Sequence, residues 1–198
     1  MQIKNTSVKA KSACKMESLT KQQIRSKILF KLNKQKEEDR SIKSSLIAEK
    51  LFKQAVFKKA KRIMFYIAIK GEVETKEMIE KAQKLGKIIA VPVCMKNRVS
   101  LRPALLKSHA HLKKGPYGVS EPVISRFIAL KDLDLVITPG VAFDKKGHRL
   151  GRGKGYYDRF LKKIPKDTPS IGLAYSLQIL PNVPVTSLDV SVEKVLFA

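Results

Sequence analysis

Residues 132–161 read DLDLVITPGVAFDKKGHRLGRGKGYYDRFL. The opening DLDLVITPG is a short apolar run of strand length, closed at its carboxyl end by Pro139 and Gly140, which break a strand. Further on, Tyr157, Leu161 and Ile164 recur at helical spacing, so a helix is expected to start near Lys154. Between strand and helix, Gly151, Gly153 and Gly155 alternate with Arg152 and Lys154. Residues without Cβ let successive backbone N–H groups turn toward one anion, and the two cations add charged contacts, which is phosphate-binding chemistry. The pattern is not a P-loop, because Gly155 and Tyr156 follow Lys154 where Ser or Thr is needed. Nor is it the dinucleotide fingerprint, because Tyr156 stands where the third glycine belongs. A disordered Arg-Gly segment would repeat and would not run into an apolar stripe.

The same strand, loop, helix order recurs along the chain. RIMFYIA (62–68) reads as a strand, IKGEVE as a turn, and Thr75 to Leu85 as a helix stopped by Gly86. KIIAVPV (87–93), SIGLAYS (170–176) and EKVLFA (193–198) read as further strands, RVSLRP (98–103) as an edge strand, and KKGPYGVSEP (113–122) as a loop. Near the start, Thr20 and Gln23 form a capping box, and Ile24, Ile28 and Leu32 mark one face of a basic helix. A second helix is expected over 38–56, with Ile42, Leu46 and Ile47 as its buried stripe. Alternating strands and helices predict a three-layer α/β/α sandwich with a mostly parallel sheet. In such sheets ligands sit outside the carboxyl ends of the strands, so GEVET and the glycine segment are expected to line one crevice.

Bulk properties set the limits. A chain of 198 residues, 43% of them hydrophobic and none of them Trp, suits one soluble domain with a single core. Apolar runs fall short of a membrane span. Cys14 and Cys94 lie in no CxxC pattern and form no disulfide framework, which points to a reducing cytosol. With 41 Lys and Arg against 17 Asp and Glu, the formal charge is +24, which invites a nucleic-acid reading. Residues 1–17 are expected to be a basic disordered tail and 18–198 one domain. His109 and His111 form H-x-H without a third ligand nearby, and His148 reads as a loop residue, so none is assigned a metal.

The segment FDKKGHRLGRGKGYYDRFL resembles the signature of the 5-formyltetrahydrofolate cyclo-ligase family. Lys21 and Arg25 at K-x-x-x-R spacing, KRIMFYIAIKGEVET, and Asp189 ahead of the final VLF extend the likeness over residues 21 to about 196. The resemblance implies a Rossmann-like α/β/α fold and an ATP- and magnesium-dependent conversion of 5-formyltetrahydrofolate into 5,10-methenyltetrahydrofolate, with release of ADP and phosphate. It further implies that Lys21, Arg25 and the loop Arg149, Leu150, Gly151, Arg152, Gly153, Lys154, Gly155, Tyr156 and Tyr157 bind ATP. Ile67, Glu72 and Arg152 to Tyr156 would contact the folate, so one loop would meet both reactants. Lys154, with Arg152, would stabilise the transferring phosphoryl group, and Asp158 and Asp189 would hold Mg2+. The implied partners are ATP and 5-formyltetrahydrofolate, including polyglutamylated forms, with no specific nucleic acid and no membrane, for a monomer in the cytoplasm. A nucleic-acid-binding protein and a nucleotide-binding relative without ligase activity are the competing readings.

Overall fold

The computed structural model describes residues 19–95, 100–107, 112–114, 120–123 and 126–198. Its centre is β1 (Arg62–Met64), which pairs in parallel with β2 (Ile88–Cys94) on one side and β6 (Leu135–Thr138) on the other. β9 (Ser170–Ala174) and β11 (Lys194–Phe197) continue the parallel sheet beyond β6, and β3 (Leu101–Leu105) closes the opposite edge antiparallel to β2. The order is therefore β11-β9-β6-β1-β2-β3. From β1 the chain first builds one half of the sheet and then returns to build the other, so a crevice opens between β1 and β6 at their carboxyl ends.

Side-chain alternation assigns the two faces. Ile63, Ile89 and Leu135 belong to one buried cluster, and their neighbours Met64, Ala90 and Val136 to another. The first face is covered by α1 (Lys21–Lys34), α2 (Glu37–Phe52) and α4 (Lys76–Lys84), which contribute Ile24, Ile28, Leu32, Ile47, Leu51 and Met78. Against the second face lies the short α5 (Tyr156–Leu161), through Phe160 and Leu161. Each such fully buried apolar side chain stabilises the fold by about 1.5–3 kcal/mol before entropy is counted. Thr20 and Gln23 close the capping box of α1 as expected, and Gly86 ends the α4 region with φ 78°.

Several details differ from the sequence reading. On α2, Ile42 and Leu46 are 61% and 46% exposed, whereas Ser44, Ile47 and Leu51 face the sheet. Ser44 is buried because its hydroxyl meets the Tyr175 hydroxyl at 3.1 Å and accepts the Glu74 N–H at 3.0 Å. A satisfied polar group is tolerated in a core, and an apolar stripe count cannot register it. α2 also stops at Phe52, and a five-residue α3 (Ala55–Lys59) follows. β1 is shorter than RIMFYIA: beyond Phe65, whose N–H still reaches the Ala90 carbonyl, the chain bends away. The bend is pinned by bonds from the Tyr66 hydroxyl to Val73 O and from Thr75 Oγ1 to Tyr66 O.

Within 113–122, read as a loop, β4 (Leu112–Lys114) pairs antiparallel with β5 (Ser120–Pro122). A small sheet of β10 (Ile179–Leu180), β7 (Ala142–Asp144) and β8 (Arg149–Leu150) was also unforeseen. The tail, Cys14, His109 and His111 lie outside the described residues. Among the described residues no helix is long and apolar enough to cross a membrane.

Candidate active site

At the carboxyl ends of β1, β2 and β6 lies a cavity of about 240 Å³. Its walls come from Ile67 and Glu72 after β1, Pro92 and Cys94 on β2, Pro139 and Gly140 after β6, and the glycine loop. The two segments expected to share one crevice therefore do share it.

The glycine loop hangs from the β7–β8 hairpin, and Asp144 sets its shape. This carboxylate accepts the N–H groups of Lys146 (2.9 Å), His148 (3.1 Å) and Val183 (3.0 Å), and its other contact is His148 Nδ1 at 2.7 Å. Burial works to raise the Asp144 pKa, but these bonds more than offset it and hold the carboxyl below its usual range. Sequence reasoning missed Asp144, although Asp followed three residues later by Gly is a turn signal. At the tip, Gly147 has φ 86°, and a Cβ there would lie 2.0 Å from Val192 O. Only glycine lets the hairpin dock on the C-terminal segment, which Val192 N–H secures by bonding Gly147 O at 2.8 Å.

Past Leu150 the backbone turns at Gly153 (φ 104°) and Gly155 (φ 62°). The helix then starts at Tyr156 rather than Lys154 and runs for six residues. The loop, not a long helix dipole, must supply most of any anion contact. Leu150 itself points into the core, so it can reach a ligand only through its backbone.

Helix α1 lies against this loop. Arg25 Nε donates to Gly151 O at 2.8 Å, and Lys21 pairs with Asp189. Asp189 also accepts from the Thr186 hydroxyl at 2.8 Å. Burial acts to raise its pKa, while Lys21 and Thr186 more than offset this and leave it low.

Deeper in, Arg149 Nη2 bonds Asp158 Oδ1 at 2.7 Å, and Val190 N–H reaches the same oxygen at 3.3 Å. Asp158 therefore abuts the segment that carries Asp189. On the folate side of the expected site, Arg152 Nε contacts Glu72 Oε1 at 3.2 Å, and Ile69 N–H donates to Oε2 at 3.2 Å. Burial pushes the Glu72 pKa up, and the Arg152 charge and the Ile69 bond recover only part of the shift.

The structure thus gathers Ile67, Glu72, Arg149, Gly151, Arg152, Lys154, Gly155, Tyr156, Tyr157 and Asp158 around one cavity. Lys21, Arg25, Leu150, Gly153 and Asp189 lie outside its lining: Leu150 and Gly153 belong to the loop itself, and the others lie on α1 and the C-terminal segment. Sequence reasoning did not single out Tyr66, Ile69, Pro92, Cys94 or Leu101, which also line it. Each reads as an ordinary apolar residue until the strands are laid side by side.

Comparison with known proteins bears on the chain as a whole. Residues 17–198 match the 5-formyltetrahydrofolate cyclo-ligase family. The chain is 32% identical over 188 residues to a 5-formyltetrahydrofolate cyclo-ligase of Mus musculus, covering 89% of this chain and 93% of that one. It is 30% identical to a probable 5-formyltetrahydrofolate cyclo-ligase of Caenorhabditis elegans over 189 residues, covering 89% and 92%. The solved structure of Aquifex aeolicus 5,10-methenyltetrahydrofolate synthetase superposes with a TM-score of 0.79 at 34% identity over 90% of each chain. A Mycoplasma pneumoniae 5,10-methenyltetrahydrofolate synthetase, 24% identical, shares the fold with a TM-score of 0.74 over 90% of this chain and 98% of that one. A match of this extent makes the chain a member of the 5-formyltetrahydrofolate cyclo-ligase family.

Proposed function

We propose that this protein uses ATP and Mg2+ to convert 5-formyltetrahydrofolate into 5,10-methenyltetrahydrofolate, with ADP and phosphate as the other products. The observation that carries the reading is the meeting of both expected contact sets, Ile67 and Glu72 on one hand and Arg149, Gly151, Arg152 and Lys154 to Asp158 on the other, in a single cavity.

A formamide is a poor electrophile and its oxygen a poor leaving group. Transfer of the γ-phosphoryl group to the formyl oxygen, with loss of ADP, cures both faults. N10 then attacks the formyl carbon, the five-membered ring closes, phosphate departs with that oxygen, and N10 gives up its proton. The protein's task is positioning and charge neutralisation, and no covalent nucleophile is needed. Lys154 and Arg152, on the exposed rim of the loop, would meet the charge that develops on the phosphoryl oxygens. Lys21 and Arg25 would bring α1 down over the triphosphate. Glu72 would accept hydrogen bonds from the folate's ring.

Asp158 and Asp189 suit Mg2+ as hard oxygen donors. Their bonds to Arg149, Val190, Lys21 and Thr186 fall on one oxygen of each, Asp158 Oδ1 and Asp189 Oδ2. Among the described residues no group of three or more His, Cys, Asp and Glu gathers. Any Mg2+ here would be held by these two carboxylates. When bound, Mg2+ would neutralise phosphate charge beside the leaving ADP. The formal charge of +24 favours the approach of such anionic reactants.

The direct test mixes the purified protein with 5-formyltetrahydrofolate, ATP and Mg2+ and follows the near-ultraviolet absorbance of the methenyl product. The rise should vanish when any one component is omitted. A folded protein that gives no rise with all three present would refute the reading.

A further inference from the structure

Behind the turn that carries Glu72, two buried hydroxyls form a closed chain of hydrogen bonds. Ser44 on α2 and Tyr175, the residue after β9, are 5% and 0% exposed, and neither lines the cavity. The Tyr175 hydroxyl donates to the Glu72 carbonyl at 3.1 Å and meets the Ser44 hydroxyl at 3.1 Å. Ser44 Oγ in turn accepts the Glu74 N–H at 3.0 Å. A carbonyl can only accept, so the Tyr175 proton is committed to Glu72, and Ser44 must donate to Tyr175. The chain leaves the turn at Glu74, passes through α2 and the end of β9, and returns to the turn at Glu72.

The anchor is itself fixed. Tyr175 N–H donates to Gln178 Oε1 at 2.7 Å, and Gln178 Nε2 donates at 2.7 Å to the carbonyl of Gly140, which is part of the cavity wall. Glu72 is held from several sides as well: its N–H bonds Ile69 O at 3.0 Å, and its Oε2 accepts the Ile69 N–H at 3.2 Å. A buried polar chain in which every member is satisfied is stiff. Arg152, the contact of Oε1, is 41% exposed at its side chain and open to exchange with a ligand. The core chain is what persists when that exchange takes place, so it sets the direction in which the carboxylate points.

We infer that Tyr175 and Ser44 are positioning residues that act through Glu72: they touch no reactant, and they hold the Glu72 backbone so that its carboxylate meets the substrate in one orientation. Small displacements of a contact group are costly to binding and turnover, which gives two residues buried behind the site a functional effect. The inference rests on the ligase reading, in which Glu72 contacts the folate, and adds to it the part of the core that aims this contact.

A double-mutant cycle tests it. 5-Formyltetrahydrofolate is titrated calorimetrically, without nucleotide, into the wild-type protein, Tyr175→Phe, Glu72→Ala and the double variant, and MgATP is titrated into each separately. Glu72→Ala keeps the carbonyl that Tyr175 holds and removes the carboxylate, so positioning has nothing left to act on. Tyr175→Phe should weaken 5-formyltetrahydrofolate about fivefold when Glu72 is present and less than about twofold when it is absent, with MgATP affinity within about twofold of wild type throughout. The melting temperature should fall equally in both backgrounds, so a merely structural role would not produce the split in affinity. Ser44→Ala breaks the chain one bond earlier; it should show the same pattern at smaller size, and it replaces Tyr175→Phe if that variant does not fold. Equal losses of folate affinity in both backgrounds, or losses shared by MgATP, would overturn the inference. So would wild-type folate affinity in Tyr175→Phe or in Glu72→Ala. A wild-type protein that forms no methenyl product with ATP fails at the earlier reading, whereas one that turns over with an additive cycle refutes the positioning role alone.

Discussion

Around the rim of the glycine loop, basic groups already have acidic or carbonyl partners: Lys21 has Asp189, Arg25 the Gly151 carbonyl, and Arg152 has Glu72. Behind the cavity beside β1, Arg149 is almost fully buried and pairs with Asp158, while its Nε and the Tyr157 hydroxyl are sealed within the wall. The rim is a set of partly exposed charge pairs open to exchange with a ligand; the inner wall is a fixed, dry packing around one buried ion pair. Exchange of exposed pairs releases little energy and tolerates variation. Breaking a buried pair leaves an uncompensated charge and costs much more. On this account the rim manages charge and the inner wall holds the shape of the site.

The largest effect separates the regions by turnover. Lys154→Ala should lower kcat by about 10²–10³-fold, the size seen when one donor to a developing anion is removed. A drop of less than tenfold would make Lys154 a bystander.

Stability separates them next. Arg149 and Asp158 are 3% and 16% exposed at their side chains. Arg149→Met strands a largely buried carboxylate and should cost about 3 kcal/mol in urea unfolding. Lys21 and Asp189 are 23% and 20% exposed. Lys21→Met should therefore cost less than about 1 kcal/mol while weakening MgATP by about tenfold. Equal losses in the two variants would erase the distinction between wall and rim.

The smallest effect has an unusual sign. Because burial raises the Glu72 pKa above its unfolded value, the native state holds that proton more tightly than the unfolded chain. Stability falls as pH rises from the unfolded carboxylate range, near 4, through the native value, and the penalty is fully present above it. Glu72→Gln should then melt higher than wild type at pH 7, with the gap closing below about pH 4, although its folate affinity falls. A variant that melts lower at pH 7 would mean that the Arg152 pair outweighs desolvation.

How much of this was legible depends on which physical signal each part leaves in the chain. The strands around Ile63, Ile89, Val136 and Ile171 are short apolar runs closed by turn residues, and the glycine loop announces itself through spacing. The inward turn of Ser44, in place of Ile42 and Leu46, was hidden because its reason is a hydrogen bond to Tyr175, 131 positions away. β1 ends early because Thr75 and Val73 capture Tyr66, a tertiary event with no local pattern. In the site, charged residues were found by their likeness to a family motif. The apolar walls, Pro92 and Leu101, and the role of Asp144 as the loop's anchor emerge only when distant segments meet.

The account's central claim is that one glycine loop serves both reactants. Hydrogen–deuterium exchange of the peptide spanning residues 149–157 tests it most directly, measured with 5-formyltetrahydrofolate alone, with MgATP alone, and with both ADP and folate in place. Each ligand by itself should slow exchange in that peptide, and the pair should slow it further. Protection by one ligand only, with the other bound but silent there, would contradict the claim.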